Sequence, residues 1–135
     1  MAERAEAKTH GRSAVSLACN LGSVATARRF VADRVGAVLG ADRVDDVVLL
    51  TSEVATNGVR HAGSRLGLAV EVGDGRVTVE VTDSSSVGPQ RRPSPPEAEE
   101  GRGLHLLDLL ADDWGWERTP SGKTVWFSVA CPARG

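Results

Sequence analysis

A two-layer α+β sandwich is the fold class this sequence predicts, and three observations carry it. Two amphipathic helical segments stand in succession near the start. The later apolar–polar alternations come in pairs joined by short Gly-containing turns. Strands and helices do not alternate one for one, which argues against a doubly wound parallel sheet.

The elements follow in chain order. Residues 1–11 are charged and polar and read as a solvated tail ahead of a single domain over 12–132. Ser13 to Cys19 alternates small polar and apolar residues, as a first strand does. Ser23 is placed to cap a helix over Val24 to Leu39, whose Val24, Ala27, Val31, Val35 and Val38 share one side; Gly40 ends it. Asp42 is placed to cap a second helix from Arg43 to His61. Alternating runs Leu66 to Val72 and Arg76 to Thr82 flank Gly73-Asp74-Gly75, a strong hairpin signature. Residues 84–101 contain Pro89, Pro93, Pro95 and Pro96 and lack periodicity, which predicts a long mobile loop. Leu104 to Ala111 reads as a third helix with Leu104, Leu107 and Leu110 inward. Trp114 to Arg118 and Lys123 to Ala130 form a last hairpin around Pro120-Ser121-Gly122. The expected order is β-α-α-β-β-loop-α-β-β, with the three tryptophans packing on the sheet.

Composition narrows the function classes. The chain has 135 residues, 41% hydrophobic and 25% charged, which suits one soluble globular domain. A net charge of −2 supplies no global basic field for nucleic acid. No apolar run approaches the ~20 residues that span a bilayer, and residues 1–11 do not resemble a signal peptide, so a cytoplasmic protein is expected. Two cysteines, Cys19 and Cys131, lack metal-like spacing and are expected as free thiols. Two lysines stand against 14 arginines, a bias of GC-rich coding.

Chemistry-bearing residues sit in four segments. In the second helix, Glu53, Asn57 and His61 recur at i, i+4 and i+8 and form one polar stripe, expected opposite Val47, Leu50, Thr51 and Val54. A carboxylate followed by a carboxamide suits a phosphate-bound Mg²⁺, which takes few protein oxygens and keeps several waters. Asp83 ends a buried strand, where a carboxylate accepts a hydrogen bond from a ligand amine. Gly101-Arg102-Gly103 opens directly into the helix beginning at Leu104, a turn whose exposed amides and helix dipole attract phosphate, with Arg102 adding a cation. Thr124 stands at the start of the last strand.

Taken together, these segments resemble the Bergerat ATP-binding fold of gyrase, histidine kinases and heat-shock chaperones. Within it the chain is most similar to the small anti-sigma-factor serine kinases, over residues 13–130. The resemblance implies a mixed, mostly antiparallel sheet covered on one face by three helices, with residues 84–101 as a nucleotide lid. It implies ATP and Mg²⁺ as ligands, with Glu53 catalytic and Asn57 holding the metal. It implies further that Asp83 reads the adenine amine, so that ATP is preferred to GTP. Gly101, Arg102, Gly103 and Leu104 then lie beside the phosphates, and Thr124 backs the adenine pocket. The family's Asp-x-Gly-x-Gly box appears here as Asp83-Ser-Ser85-Ser-Val87, with no glycine at either expected position.

The activity so implied is ATP-dependent serine/threonine phosphorylation of an anti-anti-sigma (STAS-type) antagonist, coupled to sequestration of a sigma factor or similar regulator. A homodimer is expected, without direct contact to nucleic acid or membrane. The other readings are a nucleotide-gated binding module without kinase activity, and a domain that acts by protein contact with no nucleotide.

Overall fold

The computed structural model describes residues 11–61, 65–84 and 99–131; for His61 and residues 99–104 it describes the backbone alone. Eight elements follow in the order β1 (Gly11–Ala18), α1 (Gly22–Val35), α2 (Ala41–His61), β2 (Arg65–Gly73), β3 (Arg76–Asp83), α3 (Glu99–Leu110), β4 (Asp113–Thr119) and β5 (Gly122–Ala130). The strands form one sheet in the order β1-β2-β3-β5-β4, with every neighbouring pair antiparallel. This is the α+β arrangement expected, and the order of elements is that read from the sequence.

The β2–β3 hairpin turns on Asp74-Gly75, both at positive φ (58° and 75°), with Gly73 paired to Arg76 across the two-residue turn. Positive φ at both central residues matches the right-handed twist of the strands, which is why Asp-Gly serves here. The backbone N–H of Cys131 donates to the Gly75 carbonyl at 2.8 Å and ties the end of β5 to this turn.

Alternation along each strand sends one set of side chains to the helices. Leu66, Leu68 and Val70 of β2, Val77, Val79 and Val81 of β3, and Val125, Phe127 and Val129 of β5 are buried there. They meet Val24, Ala27, Val31 and Val35 of α1, Val47, Leu50, Val54 and Ala55 of α2, and Leu107 of α3. The hydroxyl of Thr51, fully buried in α2, donates to the Val47 carbonyl one turn back at 2.8 Å and so carries no unmet donor into the core. Trp114 packs against α3, its Nε1–H donating to Asp108 at 2.9 Å. Trp126 lies on the opposite face of the sheet, its ring over Gly115, where an added Cβ would sit 2.9 Å from it.

Several element ends differ from expectation. The first strand begins at Gly11, inside the segment read as tail. Ser23 lies inside α1 rather than capping it; Asn20 Oδ1 accepts its backbone N–H at 3.1 Å and serves the helix start instead. The helix stops at Val35, and Gly36 to Leu39 continue as a turn. The third helix begins at Glu99, five residues before Leu104, so Glu99 to Gly101 are helical rather than part of a loop. Glu99 and Glu100 fall in its first turn, where acidic residues complement the helix dipole. The remainder of the expected lid, 85–98, lies outside the described residues.

Arg43 joins three elements at one end of the domain. Its guanidinium contacts Asp46 within α2 at 2.9 Å, the Leu110 carbonyl at the end of α3 at 2.9 Å, and Asp112 at 3.4 Å. Asp112 in turn accepts the backbone N–H of Ala130. No described helix is long and apolar enough to cross a membrane.

Candidate functional site

The candidate site forms where α2, the end of β3 and the start of β5 converge. The strand register sets Asp83 opposite Lys123. On β3 the inward positions are Val77, Val79 and Val81, so Asp83 also points inward; on β5 Val125, Phe127 and Val129 give Lys123 the same direction. The Lys123 ammonium donates to both carboxylate oxygens, at 3.0 Å to Oδ1 and 2.8 Å to Oδ2. The side chains are only 3% (Asp83) and 6% (Lys123) exposed. A carboxylate held this far from water is costly to bury without an opposite charge and hydrogen bonds, and Lys123 supplies both.

Two glycines make the close packing possible. Gly58 in α2 faces the pair: a Cβ there would come within 2.8 Å of Leu66 Cδ2 and 3.4 Å of Asp83 Oδ2. Gly58 directly follows Asn57, so the carboxylate of Asp83 lies one residue's step from the polar stripe. Gly122 lies beneath the chain as it leaves β3, and an added Cβ there would collide with the carbonyl oxygen of Asp83 and the Cα of Ser84.

Glu53 and Asn57 are both half-buried on α2. They border the apolar arc rather than stand opposite it, because ~100° per residue puts Asn57 within roughly 20° of Leu50. Ser52, beside Glu53, accepts from Arg28 of α1 at 3.4 Å. Cys19 Sγ lies 3.9 and 3.8 Å from the carbonyls of Gly58 and Val59, so the turn after β1 rests on the last turns of α2. His61 is the last residue of α2, and Arg60 beside it is exposed.

The expected phosphate turn takes a different form. Gly101, Arg102, Gly103 and Leu104 lie within α3, which packs against α2. The first four N–H groups of a helix have no partner within it, and here they belong to residues 99–102. These donor amides belong to the helix itself and not to a preceding loop.

Thr124 is placed otherwise than expected. It lies on the sheet face turned away from the helices, where its hydroxyl meets that of Thr82 at 2.8 Å. A one-residue step along a strand reverses the face, so Thr124 and Asp83 look to opposite sides of the sheet. A shallow groove of about 340 Å³ on that outer face is lined by Arg12, Ser16, Gly67, Glu80 and Thr82, away from the α2 stripe. The residue sharing Asp83's face is Lys123. Period-2 alternation with Val125, Phe127 and Val129 marks it as inward-facing, though not as the partner of Asp83.

Among the described residues, no group of three or more His, Cys, Asp or Glu side chains is placed to hold a metal ion. A resident metal cage is therefore not built into this part of the chain. One carboxamide and one carboxylate on a helix fit a magnesium ion brought in by phosphates, since that ion needs few protein oxygens.

A profile of the histidine kinase-like ATPase domain matches residues 17–129. The chain belongs to the histidine kinase-like ATPase domain family. The match runs from the last two residues of β1 through α1, α2, β2, β3, α3 and β4 to the penultimate residue of β5. A comparison with functionally curated proteins finds no match. Among solved structures, that of the RsbU and RsbW domains of Rv1364c from Mycobacterium tuberculosis aligns with a TM-score of 0.68 and 18% identity. The alignment covers 91% of this chain and 34% of that one, and at this identity it bears on the fold.

Proposed function

We propose that this domain is an ATP- and Mg²⁺-binding regulator that phosphorylates a serine on an antagonist protein of the anti-anti-sigma (STAS) type and sequesters a sigma factor or similar regulator. Membership of an ATPase-like family supports the nucleotide, and likeness to a structure of RsbU and RsbW domains supports a regulatory setting. The observation that carries the reading is the approach of α2 to Asp83 at Gly58, the residue that follows Asn57. The same resemblance supports a cytoplasmic homodimer.

In this reading Asn57 offers its side-chain oxygen to magnesium, which supplies charge neutralisation between phosphates. Glu53 accepts or orients the proton of the incoming serine hydroxyl. Arg102 and the first amides of α3 neutralise charge on the phosphoryl oxygens. Such transfer depends on positioning and electrostatics more than on covalent chemistry.

The test is incubation with labelled ATP and candidate antagonist proteins of the same genome. Glu53→Gln keeps the shape and hydrogen-bonding capacity but cannot take a proton, so transfer should fall by ~10²–10⁴-fold with nucleotide affinity kept. Undiminished transfer by Glu53→Gln removes that residue from the mechanism. A second reading, a protein-binding module without kinase activity, is favoured by the Lys123 contact to Asp83. Partner capture that is independent of ATP, with no transfer by the parent, would establish it.

A further inference from the structure

Lys123 occupies the carboxylate that the family resemblance assigns to the adenine amine. Both oxygens of Asp83 accept from its ammonium, at 3.0 and 2.8 Å, in a setting almost closed to water. A charged donor outcompetes the neutral amine of a purine for a carboxylate, because hydrogen bonds with an ionised donor are roughly twice as strong. The lysine is also held opposite Asp83 by strand register, so no translational freedom is lost in forming the contact. The packing leaves little slack: Gly58 closes one side of the carboxylate and the chain crossing above Gly122 closes another.

We infer that Lys123 is an internal competitor for Asp83, and that an adenine amine reaches this carboxylate only by displacing an ammonium already in place. This rests on the reading of the site as a nucleotide site and names the residue that sets its affinity and base selectivity. With the lysine in place, Asp83 gives no preference for an amine over a carbonyl. The parent therefore binds adenine nucleotides weakly and without selecting them over guanine nucleotides. Anything that withdraws the ammonium opens the site to ATP.

The experiment is calorimetric titration of the full chain and of Lys123→Thr with ATP and with GTP, each with Mg²⁺. Circular dichroism and cooperative urea unfolding establish that each protein is folded. Lys123→Thr removes the charge and leaves a hydroxyl that satisfies one carboxylate oxygen. Expected is an ATP affinity at least tenfold above the parent's, or about 1.4 kcal/mol, with no such gain for GTP, and a parent whose ATP and GTP affinities agree within threefold. Lys123→Gln, which keeps the side-chain length, serves as a second variant and should show the same gain in smaller measure. A parent that already prefers ATP by tenfold or more overturns the inference while leaving the nucleotide reading intact. So does a folded variant with unchanged ATP affinity where the parent binds ATP. Absence of ATP binding by parent and folded variants alike overturns both.

Discussion

Removing one partner of the Asp83–Lys123 pair should cost the domain a large share of its stability, while removing both should not. Replacing Lys123 by methionine keeps most of the volume and deletes the charge, leaving a carboxylate that is 3% exposed with the ammonium gone from both its oxygens. Breaking a buried pair from one side costs ~3–5 kcal/mol, against ~5–15 kcal/mol for the whole stability of a typical domain. With a urea dependence of ~1–3 kcal/mol/M, a 3 kcal/mol loss lowers the midpoint by about 1–3 M. The double variant Asp83→Leu/Lys123→Met exchanges the pair for apolar groups, a change that is often neutral or stabilising, so it should recover most of the loss. Unfolding can be followed by fluorescence of Trp114, Trp116 and Trp126, all of them in β4 or β5 near the pair's strand. A Lys123→Met cost under ~1 kcal/mol, the value of an exposed pair, would refute the assignment of a closely held buried pair. Losses that simply add in the double variant would refute it equally.

Two further outcomes follow from the same geometry. Gly122→Ala should be far more damaging than Gly75→Ala: the first drives a Cβ into the Asp83 carbonyl, whereas the second meets open space and carries only the strain of φ 75°, ~1–2 kcal/mol; comparison of thermal midpoints checks the order. Asn57→Ala should remove the Mg²⁺ dependence of nucleotide binding while changing stability by no more than ~1 kcal/mol, measured by titration with and without the metal.

Much of the fold was legible because local chemistry and tertiary packing agree. Asp74-Gly75 permits one kind of turn, and the flanking alternation leaves one register for β2 and β3. The helical period of α2 names Val47, Leu50 and Val54 as core without any tertiary information. The start of α3 was not legible: Gly101 and Gly103 are poor helix formers, and packing against α2 together with acidic residues at the first turn outweighs that propensity. Asn20 takes the Ser23 N–H at the start of α1 although Ser23 stands nearer the apolar run. At the candidate site, helical spacing singles out Glu53 and Asn57 and a strand end singles out Asp83, but the partner of Asp83 depends on which residue of β5 lies across from it. A shift of one residue separates Thr124 from Lys123, and strand register between segments so far apart is a property of the assembled sheet.

The same sheet consists of two hairpins, β2–β3 and β4–β5, each closing over neighbouring residues, with β1 laid along β2 and a seam between β3 and β5 that joins positions 40 apart at Asp83 and Lys123. The hairpins can form early from local contacts, whereas the seam must wait for the longer closure. Closure entropy grows slowly, by ~0.6 kcal/mol for each doubling of length. The connection between β3 and α3 can therefore lengthen or shorten at small free-energy cost, while Asp74-Gly75 cannot gain a residue without changing its turn type. The ion pair sits at the end of that seam, where the two halves of the sheet meet.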